Sequence, residues 1–138
     1  MAALWALALS WAAMTPSWAT DAQAGRVFFI QQCALCHSAE SGDGGGAQGP
    51  NLQGLFGRRA AADARFGYSE ALRHASLSWD AENLERFLAE PEAIVPGTAM
   101  AIAVAGAADR ANLIAYFRAL GAGTMPAAPP PGAFSRPP

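Results

Sequence analysis

The chain has 138 residues, enough for one domain of ordinary size, and a formal net charge of −2. All nine of its basic residues are Arg, and it contains no Lys. These features exclude a basic nucleic-acid patch and a polybasic membrane segment, because both need clustered positive charge.

The first residues form an uncharged apolar run that ends in small residues around Ser17 and Ala19. This pattern is typical of a secretory signal peptide, although no Lys or Arg precedes the run. Cleavage fits after Ala19 or after Ala24. We favour Ala19, because that cut keeps the capping-box pattern Thr20-Asp21-Ala22-Gln23 at the start of the next helix. We therefore assign residues 1–19 to a leader and expect a periplasmic protein, or a membrane-tethered one if the leader is not cleaved.

The next segment predicts a helix from Asp21 to about Cys36. Its apolar run of residues 27–30, which includes Ile30, leaves few positions for solvent. Gly25 lies one turn before Phe29 and would allow another helix to cross closely.

This helix leads into the motif Cys33-x-x-Cys36-His37. Two thiols three residues apart, followed at once by an imidazole, are typical of a c-type haem attachment site. The sulfurs can form thioethers with the two haem vinyls, while the adjacent His binds the iron. In bacteria this attachment takes place outside the cytoplasm, so the leader and the motif support each other.

Two other interpretations of the cysteine pair are weaker. A zinc site would need further thiolates or imidazoles, and His74 is the only other such residue in the chain. A redox dithiol of the thioredoxin type would need a preceding strand in a βαβ unit, for which the sequence gives no sign.

The middle of the chain alternates loops with short helices. A Gly-rich stretch at residues 38–48 predicts a surface loop, and a short helix is predicted around residues 70–74. Asp80 is placed to cap a helix through Ala89, which Pro91 stops. Pro96-Gly97 then predicts a type II turn that fixes the direction in which Met100 leaves the backbone.

The last predicted helix runs from Ala108 or Asp109 to Leu120, with an apolar stripe along one side. Residues 122–138 are rich in Pro and predict a disordered tail. The folded domain is therefore assigned to residues 20–121.

Several motifs follow one another along the chain in a fixed order between about Gly25 and Leu120. They are Cys33-x-x-Cys36-His37, Gly49-Pro50-Asn51-Leu52, Gly54-Leu55-Phe56-Gly57-Arg58, Trp79, Pro96-Gly97-Thr98-x-Met100 and Leu113-Ile114-Ala115-Tyr116. Together they resemble class I cytochrome c of the mitochondrial and bacterial c2 type. The resemblance implies an all-α cytochrome c fold, in which the first and last helices cross and one haem c is bound covalently through Cys33 and Cys36.

The resemblance also implies the residues around the haem. An electron-transfer haem needs both axial positions filled, and Met100 is the only Met presented by a shaped loop, which makes it the partner of His37. The rival ligand, His74, has polar neighbours and fits a surface position better. By resemblance the Pro50 carbonyl orients His37. The resemblance also implies that Arg58, Tyr68 and Trp79 meet the haem propionates, and Thr98 is assigned as a further cofactor contact.

Two departures from the family pattern carry predictions. Phe87 and Leu72 stand where the family commonly has Tyr and Asn, so we expect a drier Met side of the haem. The family's ring of lysines is replaced at the comparable places by Gln32, Glu92, Ala93 and Ala99. Electrostatic steering toward an acidic partner should therefore be weak.

The sequence thus predicts a soluble, monomeric one-electron carrier, not an enzyme. It would act between membrane redox complexes, with a cytochrome bc1-type donor and an oxidase or photosynthetic reaction centre as acceptor. One alternative is a haem enzyme subunit or peroxidase-like protein whose sixth iron position opens. The other is a secreted helical domain without haem.

Overall fold

The computed structural model describes residues 21–40 and 48–125. Its regular elements within these ranges are α1 (Ala22–Phe28), a π-helical segment (Phe29–Cys33), α2 (Glu70–His74), α3 (Ala81–Ala89), α4 (Pro91–Ile94) and α5 (Ala107–Gly121). The only β pairing among the described residues is an isolated antiparallel bridge between Arg59 and Ser78. The predicted all-α architecture is confirmed. The predicted leader, residues 41–47 of the Gly-rich loop and the tail from residue 126 onward lie outside the described residues.

The first helix departs from the prediction in its second half. Asp21 caps α1, since its carboxylate accepts hydrogen bonds from the Gln23 and Ala24 amides at 2.8 and 3.1 Å. After Phe28 the backbone widens into the π-helical segment, where the Ala34 amide donates to the Phe29 carbonyl five residues back. The prediction of one helix to Cys36 is therefore wrong.

The extra residue in the π turn also changes which side chains point outward. Phe29 is buried, but Ile30 is 53% exposed, contrary to the expectation that this apolar run faces the protein. Periodicity of 3.6 residues cannot anticipate this, because a π turn adds one residue and rotates those that follow.

The crossing of the first and last helices is confirmed. α1 packs against α5, and a Cβ at Gly25 would lie 2.0 Å from the Asn112 carbonyl oxygen and 2.9 Å from the Cβ of Tyr116. The rings of Phe29 and Tyr116 meet with centroids 5.5 Å apart. A second contact joins the start of α1 to α5, because the Asp21 amide donates to the Asn112 side chain at 2.9 Å. Gly25 is thus required by a close backbone approach.

The segments after residue 48 are fastened to one another by backbone hydrogen bonds. The Gly57 amide donates to the Trp79 carbonyl, and the Trp79 amide donates to the Arg58 carbonyl, both at 2.9 Å. α3 begins after Asp80, whose carboxylate accepts from the Asn83 amide at 2.7 Å, and it ends at Ala89 as predicted. Pro91 stops α3 and opens α4, because its fixed φ suits a first helical position.

The core lies between the α1–α5 crossing and α3. Its buried apolar members are Phe29, Ala39, Leu55, Trp79, Leu84, Phe87, Leu88, Val95, Val104, Leu113, Tyr116 and Phe117. Past Gly121 the chain stays against this core for a few residues: the Thr124 amide donates to the Ala119 carbonyl at 2.9 Å, and Met125 is partly buried. Among the residues described, no helix has the length and apolar character needed to cross a membrane.

Candidate functional site

The segment from Cys33 to His37 forms a tight turn at the end of the π-helical segment. The amides of Cys36 and His37 both donate to the Cys33 carbonyl, at 3.0 and 2.9 Å. The turn therefore holds the backbone that carries both thiols and the imidazole in a fixed conformation. The intervening Leu35 is 84% exposed, so the turn lies at the protein surface.

The His37 imidazole is held in one orientation. Its Nδ1 lies 2.9 Å from the Pro50 carbonyl oxygen, which can only accept, so Nδ1 carries the proton and Nε2 is left with its lone pair. The ring also packs onto Gly49, where a Cβ would come within 2.4 Å of Cε1. Burial lowers the pKa of His37, against the opposing effect of the Pro50 hydrogen bond. A neutral, oriented imidazole is the form that binds a metal.

The two cysteines do not have the properties of a redox dithiol. Both are free thiols and partly exposed. Burial, and secondarily the nearby Cys36, raises the pKa of Cys33 to about 11. A reactive dithiol needs a thiol whose pKa is lowered, so this environment argues against that interpretation. Within residues 21–40 and 48–125 no group of three or more His, Cys, Asp or Glu side chains could hold a metal ion.

Met100 leaves the backbone after the predicted turn. Gly97 has φ +85°, and the Thr98 amide donates to the Val95 carbonyl at 3.0 Å, which are the marks of a type II turn with Pro96 and Gly97 at its centre. The Thr98 side chain is buried and its hydroxyl accepts from the Met100 amide at 3.3 Å. Met100 itself is partly buried against the core.

Two mostly buried aromatic side chains carry hydrogen-bond donors that no described residue accepts. Tyr68 and Trp79 are 9% and 7% exposed, yet the Tyr68 hydroxyl and the Trp79 indole N–H bond to none of the described residues. The Tyr68 ring packs edge-on against Phe66, and the Trp79 ring against Phe87, with centroids 4.9 and 5.0 Å apart. Neither donor atom is among the fully buried unpaired atoms of the described residues, so both can be reached by a bound group that supplies acceptors, such as the carboxylates of haem.

The Arg58 guanidinium is hydrogen-bonded to the protein itself, whereas the resemblance implies that it contacts a haem propionate. Its guanidinium donates to the carbonyls of Asn51 and Gln53, at 2.8 and 3.2 Å, and so closes its own loop. Its backbone is bonded to Trp79, which brings these two predicted residues together. No hydrogen bond among the described residues joins Tyr68 to Arg58, Trp79 or Thr98.

His74, the rival ligand, lies at the surface as expected. Its side chain is 82% exposed and lies 3.2 Å from the carboxylate of Glu70 on the same helix. It is not brought near His37 or Met100 by any described contact.

Sequence reasoning missed a polar cluster beside the motif. The Glu40 carboxylate accepts hydrogen bonds from the Arg26 Nε and Nη2 atoms, at 2.7 and 3.3 Å. It also accepts from the Tyr116 hydroxyl at 2.9 Å. The hydrogen bond that Arg26 donates to Glu40 raises the pKa of Arg26. These three residues are 14 and 76 positions apart, so no local pattern could have paired them.

Comparison with known proteins matches this fold and site to haem proteins. The cytochrome c family model matches residues 22–121. The chain is 40% identical over 102 residues to cytochrome c of Guizotia abyssinica, covering 73% of this chain and 91% of that protein. It is 43% identical over 101 residues to cytochrome c-type cyt cy of Rhodobacter capsulatus, covering 72% of this chain and 49% of that protein.

A solved structure agrees with the sequence matches. Cytochrome cH from Methylobacterium extorquens superposes with a TM-score of 0.63 at 34% identity, covering 71% of this chain and 97% of that one. The fold and the motif define a c-type cytochrome, and the chain belongs to the class I cytochrome c family. It accordingly binds one covalently attached haem c, and the predicted cytochrome c fold is confirmed. The free thiols, the oriented imidazole and the unbonded Tyr68 and Trp79 donors all fit that group.

Proposed function

We propose that the protein is a one-electron carrier whose haem is tethered by Cys33 and Cys36 and ligated axially by His37 and Met100. The observation that supports the proposal is that two residues able to ligate iron are both held in a defined orientation. His37 is fixed by Pro50 with Nε2 free, and Met100 is presented by a hydrogen-bonded turn. Haem iron with His and Met ligands supplies reversible one-electron chemistry at a raised potential.

The protein's own residues make this a closed site. The apolar side chains of Leu52, Phe56 and Leu72, like Met100, are partly buried against the core, and we expect them to line the haem pocket and keep water out of it. We expect Tyr68 and Trp79 to donate hydrogen bonds to the propionates, which would lower the cost of holding carboxylates in a mostly apolar interior. Thr98 is proposed as a further haem contact, and its hydroxyl also accepts from the Met100 amide. Arg58 acts on the same region by closing the loop between Asn51 and Gln53.

The test of axial ligation compares two methionine variants. Met100→Ala should abolish the near-infrared band of Met-bound ferric haem, and its reduced form should bind carbon monoxide. Met125→Ala is the control, because Met125 is also partly buried but is not presented by the turn. Retention of the band in Met100→Ala would refute the ligand assignment. Tight carbon monoxide binding by the unmodified protein would favour an enzyme with an opening sixth site.

The test of attachment is the mass of the intact protein. A mass increase equal to one haem supports thioethers at Cys33 and Cys36, and loss of that increase in Cys33→Ser with Cys36→Ser identifies the residues. The same spectrum gives the mature N-terminus. A start at Thr20 supports the leader assignment and export to the periplasm, whereas an intact leader supports tethering to a membrane.

The partners we propose are membrane redox complexes: a cytochrome bc1-type donor, and an oxidase or photosynthetic reaction centre as acceptor, met by a monomeric carrier. Several Arg side chains already have a partner within the protein. Ion pairs hold Arg26, Arg65, Arg73 and Arg110, and Arg118 lies over the Phe56 ring with its Cζ 5.4 Å from the centroid.

Near each of the two proposed ligands, His37 and Met100, a large apolar side chain is exposed. Leu35 is 84% and Ile102 63% exposed, and each lies two residues from a proposed ligand. Reaction with a membrane partner should therefore depend weakly on ionic strength. A steep fall in the second-order rate constant with added salt would contradict this.

A further inference from the structure

Glu40 joins the segment that carries Cys36 and His37 to the crossing of the first and last helices. Its carboxylate binds Arg26 of α1 through two guanidinium nitrogens and accepts from the Tyr116 hydroxyl of α5. Side-chain exposure is 23% for Arg26 and 32% for Glu40, so the pair is shielded from much of the solvent. A charged, two-point contact of this kind is stronger and more directional than a neutral hydrogen bond.

The other side of the same segment is bonded to the stretch that orients His37. The Gly49 amide donates to the Cys36 carbonyl at 2.8 Å, and the Leu52 amide donates to the Ser38 carbonyl at 2.7 Å. Between Ser38 and Glu40, Ala39 is fully buried. The segment from Cys36 to Glu40 is therefore held between the helix crossing and the stretch that contains Pro50.

We propose that Glu40 is a positioning residue for His37. By fixing the C-terminal end of this segment to Arg26 and Tyr116, it keeps the imidazole in register with the Pro50 carbonyl. This inference rests on the proposed function, in which His37 is a haem ligand. Its test reads the His37–Pro50 hydrogen bond directly, and therefore fails or succeeds independently of axial ligation by Met100.

The experiment measures solvent exchange of the His37 Nδ1 proton by NMR in the haem-loaded protein. Glu40→Gln removes the charge and keeps the shape. We expect it to speed this exchange about tenfold, the effect of weakening one charge-assisted hydrogen bond. The matched control is Glu85→Gln. Glu85 pairs with Arg110 at the same 2.7 Å distance as the Arg26–Glu40 pair, but joins α3 to α5 away from the motif.

Both variants should lower the free energy of unfolding, since each loses a partly buried ion pair. Only Glu40→Gln should also loosen the His37 proton. Equal exchange rates in the two variants would overturn the proposal and leave Glu40 a general stabilising residue.

A milder variant keeps the test decisive if Glu40→Gln yields no haem-loaded protein. Tyr116→Phe removes one hydroxyl and leaves the ring contacts with Phe29 and Phe117 in place. We expect faster exchange of the His37 proton here too, by a smaller factor than in Glu40→Gln. Exchange as slow as in the unmodified protein would refute the part of Tyr116 in positioning the ligand.

Discussion

The close approach at Gly25 makes a quantitative prediction for Gly25→Ala. The new methyl group would lie 2.0 Å from the Asn112 carbonyl oxygen and 2.5 Å from its carbon, both backbone atoms of α5. Backbone cannot rotate away as a side chain can, so the two helices must separate. Overpacking typically costs about 1–3 kcal/mol, and we take the upper end because the clash is with backbone. The higher helix propensity of Ala offsets at most about 1 kcal/mol of this loss in stability.

We therefore expect Gly25→Ala to lower the free energy of unfolding by about 2 kcal/mol. Denaturant titration of the haem-loaded protein, followed by circular dichroism, measures it. Gly121→Ala is the matched control, because Gly121 ends α5 and a Cβ there meets nothing within 4 Å. That control should be neutral or stabilising by up to about 1 kcal/mol. A Gly25→Ala protein as stable as the unmodified one would refute the reasoning.

Three further substitutions test the site and its surroundings. Gly49→Ala should displace the His37 ring, whose Cε1 lies 2.4 Å from the new Cβ, and shift the reduction potential; an unchanged potential and visible spectrum would contradict this. Phe87→Tyr should leave the free energy of unfolding unchanged or lower it by about 1–3 kcal/mol, because it adds a polar group to an apolar site; a clear gain in denaturant titration would sink the idea. Hydrogen bonds from Arg65 lower the pKa of Asp63 from 3.8 to about 2. A lowered carboxyl pKa stabilises the folded state above its ordinary value and loses that effect as the pH falls toward the folded value. Asp63→Asn should therefore weaken the pH dependence of stability between about pH 4 and pH 2, and an unaltered acid limb in thermal melts would count against this.

The fold was predictable wherever local chemistry decides the backbone. Asp80 and Pro91 set the ends of α3, and Pro96-Gly97 sets the turn before Met100, because caps and proline act within a few residues. The proposal that His37 and Met100 are the ligands depends on the same kind of local signal, together with the order of motifs along the chain, and it stays a prediction.

What could not be predicted depends on contacts between distant residues. The π-helical segment changes the side-chain register by one residue, so the 3.6-residue pattern misplaced Ile30. The Arg26–Glu40–Tyr116 cluster forms only once α1 and α5 have crossed. The Arg58 guanidinium binds loop carbonyls that no spacing rule would assign to it.

The stretch that carries Met100 is fastened at both ends and open between them. Before it, Thr98 is bonded to Val95; after it, the Val104 amide donates to Leu88 at 2.8 Å and the Val104 carbonyl accepts from Arg110 at 2.7 Å. Residues 101–103 are exposed. If Met100 ligates the iron as we propose, its release would be a local opening that leaves both anchor points in place, with a free energy below that of global unfolding. The Met100 thioether would then be a tethered ligand with a high effective concentration near the iron. An external ligand would have to compete with rapid rebinding of this thioether.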